Sequence, residues 1–367
     1  MAGRPRQKKK PASPKPGVAP ARPALGNDPF QRGAAARTLP LTSRPAAVSA
    51  PAAAPASPAR APSLSDKPPA PSAPTRAPSG FPFSDLGRTL SRLLPDLKSR
   101  LGQARSLLDT GAHLDAWGMD PELPERAFAL LDFLYGSWWR VEPRQIERVP
   151  ATGGAVLVAN HGGALPWDAL VLRLALLRDH PAHREVRPLL DEAPFRSAVV
   201  GKVAARLGAV PASPENARRL LAQGSLVAVF PEGSRAGEKP WAERYRLQSF
   251  GRGGFAKVAL RAGAPIVPCA VLGSEESTAP LSRPGWLGKL LGLPLLAATP
   301  GLPLGPAALL PLPARWSIRF GEPIPTAGLG ADKASDPETV SALAERTRAA
   351  VQRMLDEDLA ARRSAYL

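Results

Sequence analysis

Residues 160–168 read NHGGALPWD and place a histidine, two glycines, a proline and an aspartate within nine positions. His161 and Asp168 are the pair of types that performs general base catalysis, an imidazole and a carboxylate. On one straight helix, residues seven apart share a face but lie about 10 Å apart along the axis, too far for a hydrogen bond. A working dyad therefore needs the chain to fold back between them. Gly162 and Gly163 permit unusual backbone angles, and Pro166 suits the first position of a helix. This puts Asp168 in the first turn of that helix and His161 on the strand-end loop before it. The carboxylate would then hold one ring nitrogen as a donor, and the other could take a proton from a substrate hydroxyl. Such a base contributes roughly 10²–10⁴-fold to a rate. No Ser or Cys lies inside the motif, which favours direct attack by a bound alcohol over a covalent acyl-enzyme. The plainer reading makes Asp168 a helix-start carboxylate favoured by the dipole and His161 a turn residue.

A second motif, FPEGSR, spans residues 230–235. Its strand is expected to end at Phe230, leaving the backbone amides of Gly233 and Ser234 exposed. Arg235 can fork onto a phosphate or carboxylate, and Glu232 could position Arg235 or an acceptor hydroxyl. The competing reading is a strand-end turn with a surface Glu–Arg pair. His180 and His183 have a spacing that could bind a metal, but no Cys or acidic cluster completes a site, so no metal is expected. GRGGFAK (251–257) lacks the Gly-Lys-Ser/Thr ending of a phosphate-binding loop and reads as a helix-start turn packed closely on the sheet. Cys269 falls in a buried strand and is expected to be inert.

The elements that must carry these motifs alternate. Strands are expected at Ala155–Ala159, Val186–Leu190, Gly208–Pro211, Leu226–Phe230, Ile266–Leu272 and Arg315–Phe320. Helices are expected at 167–178, 195–207, 214–223, 252–262 and about 336–361. Short apolar strands alternating with helices imply an α/β fold, a mostly parallel β-sheet flanked by helices. In such sheets sites gather at the carboxyl ends of strands, and both motifs follow a strand.

The flanks differ in kind. Residues 1–80 hold 13 basic and two acidic residues, 11 of the 17 net positive charges, and are rich in Pro and Ala. Such a segment is expected to be a disordered basic tail, either a solvated arm or a contact for a polyanion. An anionic membrane surface suits it better here than nucleic acid. Residues 84–109 set Leu86, Leu90, Leu93, Leu97 and Leu101 at helical spacing among basic residues, with an interruption at Pro95. That pattern suits a membrane surface or the protein's own core. Phe128, Phe133, Tyr135, Trp138 and Trp139 crowd into residues 125–141, fitting either a membrane interface or a core-facing helix running into a strand. The apolar stretch 285–312 is broken by Gly, Pro and Lys289 and reads as a loop or short helices that cover the site, dip into lipid or pack on the body. No uninterrupted apolar run of 18 residues and no signal peptide is found. The one cysteine allows no intrachain disulfide. A cytoplasmic, peripheral membrane location is expected. The organisation expected is a tail over 1–80, a helical region over 81–140, and an α/β domain over 141–367 with an apolar insertion at 285–312.

Together the two motifs resemble the glycerolipid (lysophospholipid) acyltransferase superfamily, the 1-acylglycerol-3-phosphate acyltransferase-like proteins. The resemblance runs from about Val141 to Pro325 and takes in VEPRQIERVPATGGAVLVANH, FPEGSR, APIVPCAVLG and LPLPARWSIRFGEPI. It implies that His161 and Asp168 are the catalytic pair and that Glu232, Gly233, Ser234 and Arg235 contact the acceptor. It also implies transfer of a fatty acyl group from coenzyme A or acyl carrier protein to a glycerolipid hydroxyl, on a lysophospholipid or a neutral glyceride, with no metal or cofactor. Two features depart from the family pattern. Six residues separate His161 from Asp168 where the family has four, a spacing more similar to branches nearer neutral-lipid acyltransferases. After Gly208 the chain continues to PASPENA, and the nearest arginine is Arg218. Arg235 is then the main candidate contact for an anion. Two other functions remain open on the sequence: a basic tether to membrane or nucleic acid, and a thioester hydrolase using the same dyad.

Overall fold

The computed structural model describes residues 88–89, 91–93, 95–96, 113–162, 166–196, 198–277 and 312–366. The tail over 1–80 and the apolar stretch 285–311 lie outside these residues. Seven strands form one sheet in the order β1-β7-β6-β2-β5-β3-β4. They are β1 (Glu142–Arg144), β2 (Ala155–Ala159), β3 (Val186–Leu190), β4 (Val210–Pro211), β5 (Leu226–Val229), β6 (Ile266–Leu272) and β7 (Ser317–Phe320). The five from β6 to β4 run parallel, while β7 pairs antiparallel with β6 and carries β1 parallel beside it.

The apolar runs AVLVA, LVAV and IVPCAVL are buried at every position, as expected of strands covered on both faces. Alternation along β2 divides the core. Ala155, Leu157 and Ala159 join the larger cluster, while Val156 and Val158 face the other side. Helices α1 (Leu123–Arg126), α2 (Phe128–Phe133) and α3 (Trp167–Asp179) cover the first face. The run from Asp168 to Leu176 in α3 is buried all round, because α1, α2 and a following π turn pack outside it. Then come α4 (Glu192–Arg196), α5 (Ala198–Arg206), α6 (Pro214–Ala222), α7 (Gly254–Ala262), the single turn α8 (Ser274–Ser277) and α9 (Pro337–Ala361). Helices α6, α7 and α9 supply the apolar side chains of the second face. Local sequence starts two of them: Ser213 accepts from the Asn216 N–H ahead of α6, and Asp336 from the Glu338 N–H ahead of α9, each followed by Pro at the first position.

Several expectations are corrected here. Strand β1 reads Glu-Pro-Arg, without apolar alternation, and exists because the β7 edge offers its ladder groups. The helix expected over 195–207 is two, α4 and α5. The strand expected from Gly208 begins at Val210, because Gly208 takes φ +86° and ends the preceding helical stretch. Phe133, Tyr135, Trp138 and Trp139 are buried, so this aromatic run is a core element leading into a strand, and Phe128 alone of the five is exposed. Around residues 88–96 the described positions are helical, Pro95 included. There Leu93 packs on the larger cluster, and the Thr89 hydroxyl donates to the Tyr366 carbonyl at 3.0 Å. Those residues lie on the protein's own body.

Candidate active site

The fold-back between His161 and Asp168 is present. The His161 Nδ1 lies 2.6 Å from Asp168 Oδ2, and the Gly162 N–H donates to the same oxygen at 3.0 Å. The other oxygen, Oδ1, accepts from the Ala169 N–H at 2.9 Å. Asp168 is in the first turn of α3 and only 1% exposed. Pro166 sits at the cap, one residue earlier than expected. With Nδ1 facing a carboxylate that is itself supplied with donors, Nδ1 carries the hydrogen and Nε2 presents its lone pair. No hydrogen bond to Nε2 is found among the described residues, and the side chain keeps 15% of its exposure.

Two features hold the histidine there. Asn160, at the end of β2, uses its amide as a piece of backbone: Nδ2 donates to the Val271 carbonyl at 2.8 Å and Oδ1 accepts from the Val271 N–H at 2.7 Å. This continues the β2–β6 ladder for one more step and sets the direction in which His161 leaves the sheet. Gly162 serves proximity rather than torsional freedom, since it is not among the glycines with positive φ. A Cβ there would sit 2.4 Å from the Cβ of Ser274, so only a glycine lets the loop after β2 touch the turn after β6. Gly163 lies outside the described residues. Burial works against a charged imidazole, but Asp168 and then Glu232 outweigh it, and the His161 pKa lies above its usual value.

The second motif follows β5 at the same end of the sheet, and it differs from expectation. Glu232 is fully buried. Its Oε1 accepts from the His161 N–H at 3.3 Å and its Oε2 from the Gln248 N–H at 2.8 Å. It does not position Arg235, whose guanidinium donates instead to the Ser249 carbonyl at 2.8 Å. Nor is there a surface Glu–Arg pair. Gly233, with φ +57°, spends its N–H on the Phe230 carbonyl, so that amide is not open to a ligand. Ser234 lies in the same helical turn, Gly233–Glu238. Phe230 packs its ring 5.6 Å from the His161 ring, centre to centre.

Sequence reading missed Lys239 and Glu275. The ammonium of Lys239 lies 3.4 Å from Glu232 Oε2 and 2.8 Å from Glu275 Oε1, and its side chain is 2% exposed. Its 36-residue separation from Glu275 leaves no spacing signal. Burial disfavours the charge on Lys239, but Glu275 and Glu232 together raise its pKa. Burial pushes Glu275 up to about 7, against the pull of Lys239.

The remaining candidates have structural roles. His180 donates from Nε2 to the Val149 carbonyl at 3.0 Å and accepts at Nδ1 from the Ala182 N–H at 3.1 Å. Both nitrogens are spent, which leaves no lone pair for a metal. His183 Nδ1 lies 2.9 Å from the Leu177 carbonyl. No cluster of possible metal ligands occurs among the described residues. In GRGGFAK, Gly253 has φ +70° and packs against Val340 and Ala344 of α9 rather than on the sheet. Cys269 is buried, and burial raises its thiol pKa far above the usual range.

Residues 140–272 match the model of a family described as Acyltransferase. The chain is 42% identical over 286 residues to an uncharacterized protein of Mycobacterium tuberculosis, covering 77% of this chain and 78% of that one. It is 27% identical over 224 residues to a bovine protein named as a DGAT1/2-independent enzyme synthesizing storage lipids, covering 60% of each. Among solved structures it is similar to the 1-acyl-sn-glycerophosphate acyltransferase PlsC of Thermotoga maritima, at 18% identity and a TM-score of 0.41, over 76% of this chain and 89% of that one.

Proposed function

The chain belongs to the acyltransferase family, and from that premise we propose that it moves a fatty acyl group from a coenzyme A or acyl-carrier-protein thioester to a glycerolipid hydroxyl. The observation that carries this reading is the 2.6 Å contact between His161 Nδ1 and Asp168, with Nε2 meeting no hydrogen-bond partner among the described residues. His161 Nε2 takes the proton of the acceptor hydroxyl as its oxygen attacks the thioester carbonyl carbon. A carbon–oxygen bond forms, the carbon–sulfur bond breaks, and the leaving thiolate recovers the proton from the imidazolium. Asp168 stabilises that imidazolium and keeps the ring in the tautomer that can accept. Metal chemistry has no part in this scheme.

The acceptor is best read as a neutral glyceride. Glu232 is sealed beneath the surface against Lys239. Arg218 is paired along the exposed side of α6 with Glu215 at 2.9 Å. Arg235 is the one cation of FPEGSR and already gives a donor to Ser249. The six-residue spacing of the dyad and the similarity to a storage-lipid enzyme point the same way. Among the described residues no helix is long and apolar enough to cross a membrane, so a peripheral contact, on the cytoplasmic side, is the mode proposed for reaching a lipid acceptor.

The test is a transfer assay with liposomes, labelled long-chain acyl-CoA or acyl carrier protein, and four acceptors: monoacylglycerol, diacylglycerol, lysophosphatidate and a second lysophospholipid. The reading expects labelled di- or triacylglycerol to form faster than any phospholipid. Product from lysophosphatidate alone would overturn the acceptor assignment but keep the chemistry. Release of free fatty acid independent of acceptor would replace transfer by hydrolysis.

A further inference from the structure

Glu232 is held as a part of the scaffold around His161, with no surface of its own to offer a substrate. Both of its oxygens accept backbone N–H groups, one from His161 and one from Gln248. A carboxylate satisfies two such donors, whereas a carboxamide offers one acceptor and one more donor. Two acceptor oxygens therefore suit a glutamate rather than a glutamine at 232, and a fully buried acidic side chain is favoured by a countercharge beside it. Lys239 supplies it. Its ammonium reaches Glu232 at 3.4 Å, Glu275 at 2.8 Å and the Arg246 carbonyl at 3.4 Å.

The chain of contacts closes into a ring. Glu275 Oε1 also accepts the Tyr245 N–H at 3.0 Å. Tyr245 is buried in a left-handed conformation, φ +63°, which a bulky residue adopts only where its surroundings enforce it. Its hydroxyl donates to Glu276 and accepts from the Gly273 N–H at 2.7 Å. Ser274, the next residue, is the one that abuts Gly162. Four segments are thus fastened together behind the histidine: the loops after β2 and β5, residues 239–248, and the turn after β6. Arg244 and Arg362 face Glu276 at 3.7 and 3.2 Å.

We propose that Lys239 is a positioning residue of the reaction, one that acts on His161 through Glu232. This rests on the reading of His161 as the base. Lys239 is buried and reaches the histidine through Glu232; its effect is to hold that carboxyl in place and so to fix the backbone from which the imidazole projects. A displacement of about 1 Å at such a group costs as much as 10²-fold in rate.

The experiment compares Lys239→Met, Glu232→Gln and the double variant by steady-state acyl transfer, with circular dichroism to establish folding. Each single change is expected to lower kcat at least about tenfold with KM for the acyl donor unchanged. The double variant is expected to be no slower than the worse single one, because both remove the same support. A folded Lys239→Met protein with wild-type kcat overturns the proposal, and so does a double variant whose loss is the product of the single losses. Should Lys239→Met fail to fold, Lys239→Met/Glu275→Gln removes one cation and one anion together. That protein is expected to fold and to show the kcat loss of Glu232→Gln; full activity or failure to fold would overturn the proposal. The base reading fails on a different result, an active and folded His161→Ala protein.

Discussion

Two carboxylate–cation groups stand at the same end of the sheet and are built for opposite ends. In the dyad, Asp168 contacts an imidazole whose second nitrogen meets no hydrogen-bond partner among the described residues. In the cluster behind it, Lys239 and Glu232 are both buried, and the ammonium meets three acceptors. The first arrangement can exchange a proton with a substrate. The second is buried and holds loops together. The identity of the ionisable groups does not separate the two; exposure does, since His161 keeps 15% of its own. FPEGSR shows the same lesson, since its glutamate belongs to the closed group.

Breaking the open group should produce the largest effect. His161→Ala should fold and lose roughly 10²–10⁴-fold in transfer rate, measured as labelled lipid formed per unit time. Asp168→Asn keeps the shape but turns one acceptor oxygen into a donor beside the Gly162 N–H and the imidazole. A loss of at least roughly 10²-fold is expected in the same assay. A normal rate in either folded variant would reduce the dyad to a turn.

The contact that separates the two groups is the next place to press. Gly162→Ala forces a Cβ to within 2.4 Å of the Ser274 Cβ. Overpacking of this kind costs about 1–3 kcal/mol, so a lower thermal midpoint together with a reduced kcat is expected. Adding Ser274→Gly should recover part of both. The smallest effect is expected from Arg218→Ala. Its pair with Glu215 is exposed on both sides, and such pairs contribute roughly 0–1 kcal/mol. Transfer to every acceptor should be unchanged. A selective loss of lysophosphatidate acylation would make Arg218 a phosphate contact after all and would move the acceptor assignment.

The legible parts of the molecule were those where one local rule decided the outcome. Ala155–Ala159, Val186–Leu190 and Ile266–Leu272 run as strands over the expected residues, because short apolar runs bounded by turns fit a sheet buried on both faces. The fold-back at His161 was legible from Pro166 and the helix that follows. The partners of Glu232 were not. Its motif suggested the neighbouring Arg235, three residues on, but that guanidinium donates to the Ser249 carbonyl and a lysine seven residues on takes its place. Glu275 reaches the same lysine from the turn after β6, a contact made only when β2, β5 and β6 are brought side by side. Gly162 was legible as a required glycine, but for the wrong reason, because the side chain it must avoid comes from Ser274, distant in sequence.

The central claim, that Asp168 makes His161 a base poised above the ordinary histidine range, is tested most directly by the pH dependence of kcat/KM in wild type and Asp168→Asn. Burial lowers the imidazole pKa, Asp168 and Glu232 raise it further than burial lowers it, and the net shift is upward from 6.5. Transfer needs the neutral ring, so the wild-type rate should rise with pH through a value above 6.5. Without the Asp168 charge, burial prevails, and the same limb should move to lower pH in the residual activity of the variant. A limb that stays at the same pH in both proteins would contradict the account, because the group that titrates would then not be the one Asp168 holds.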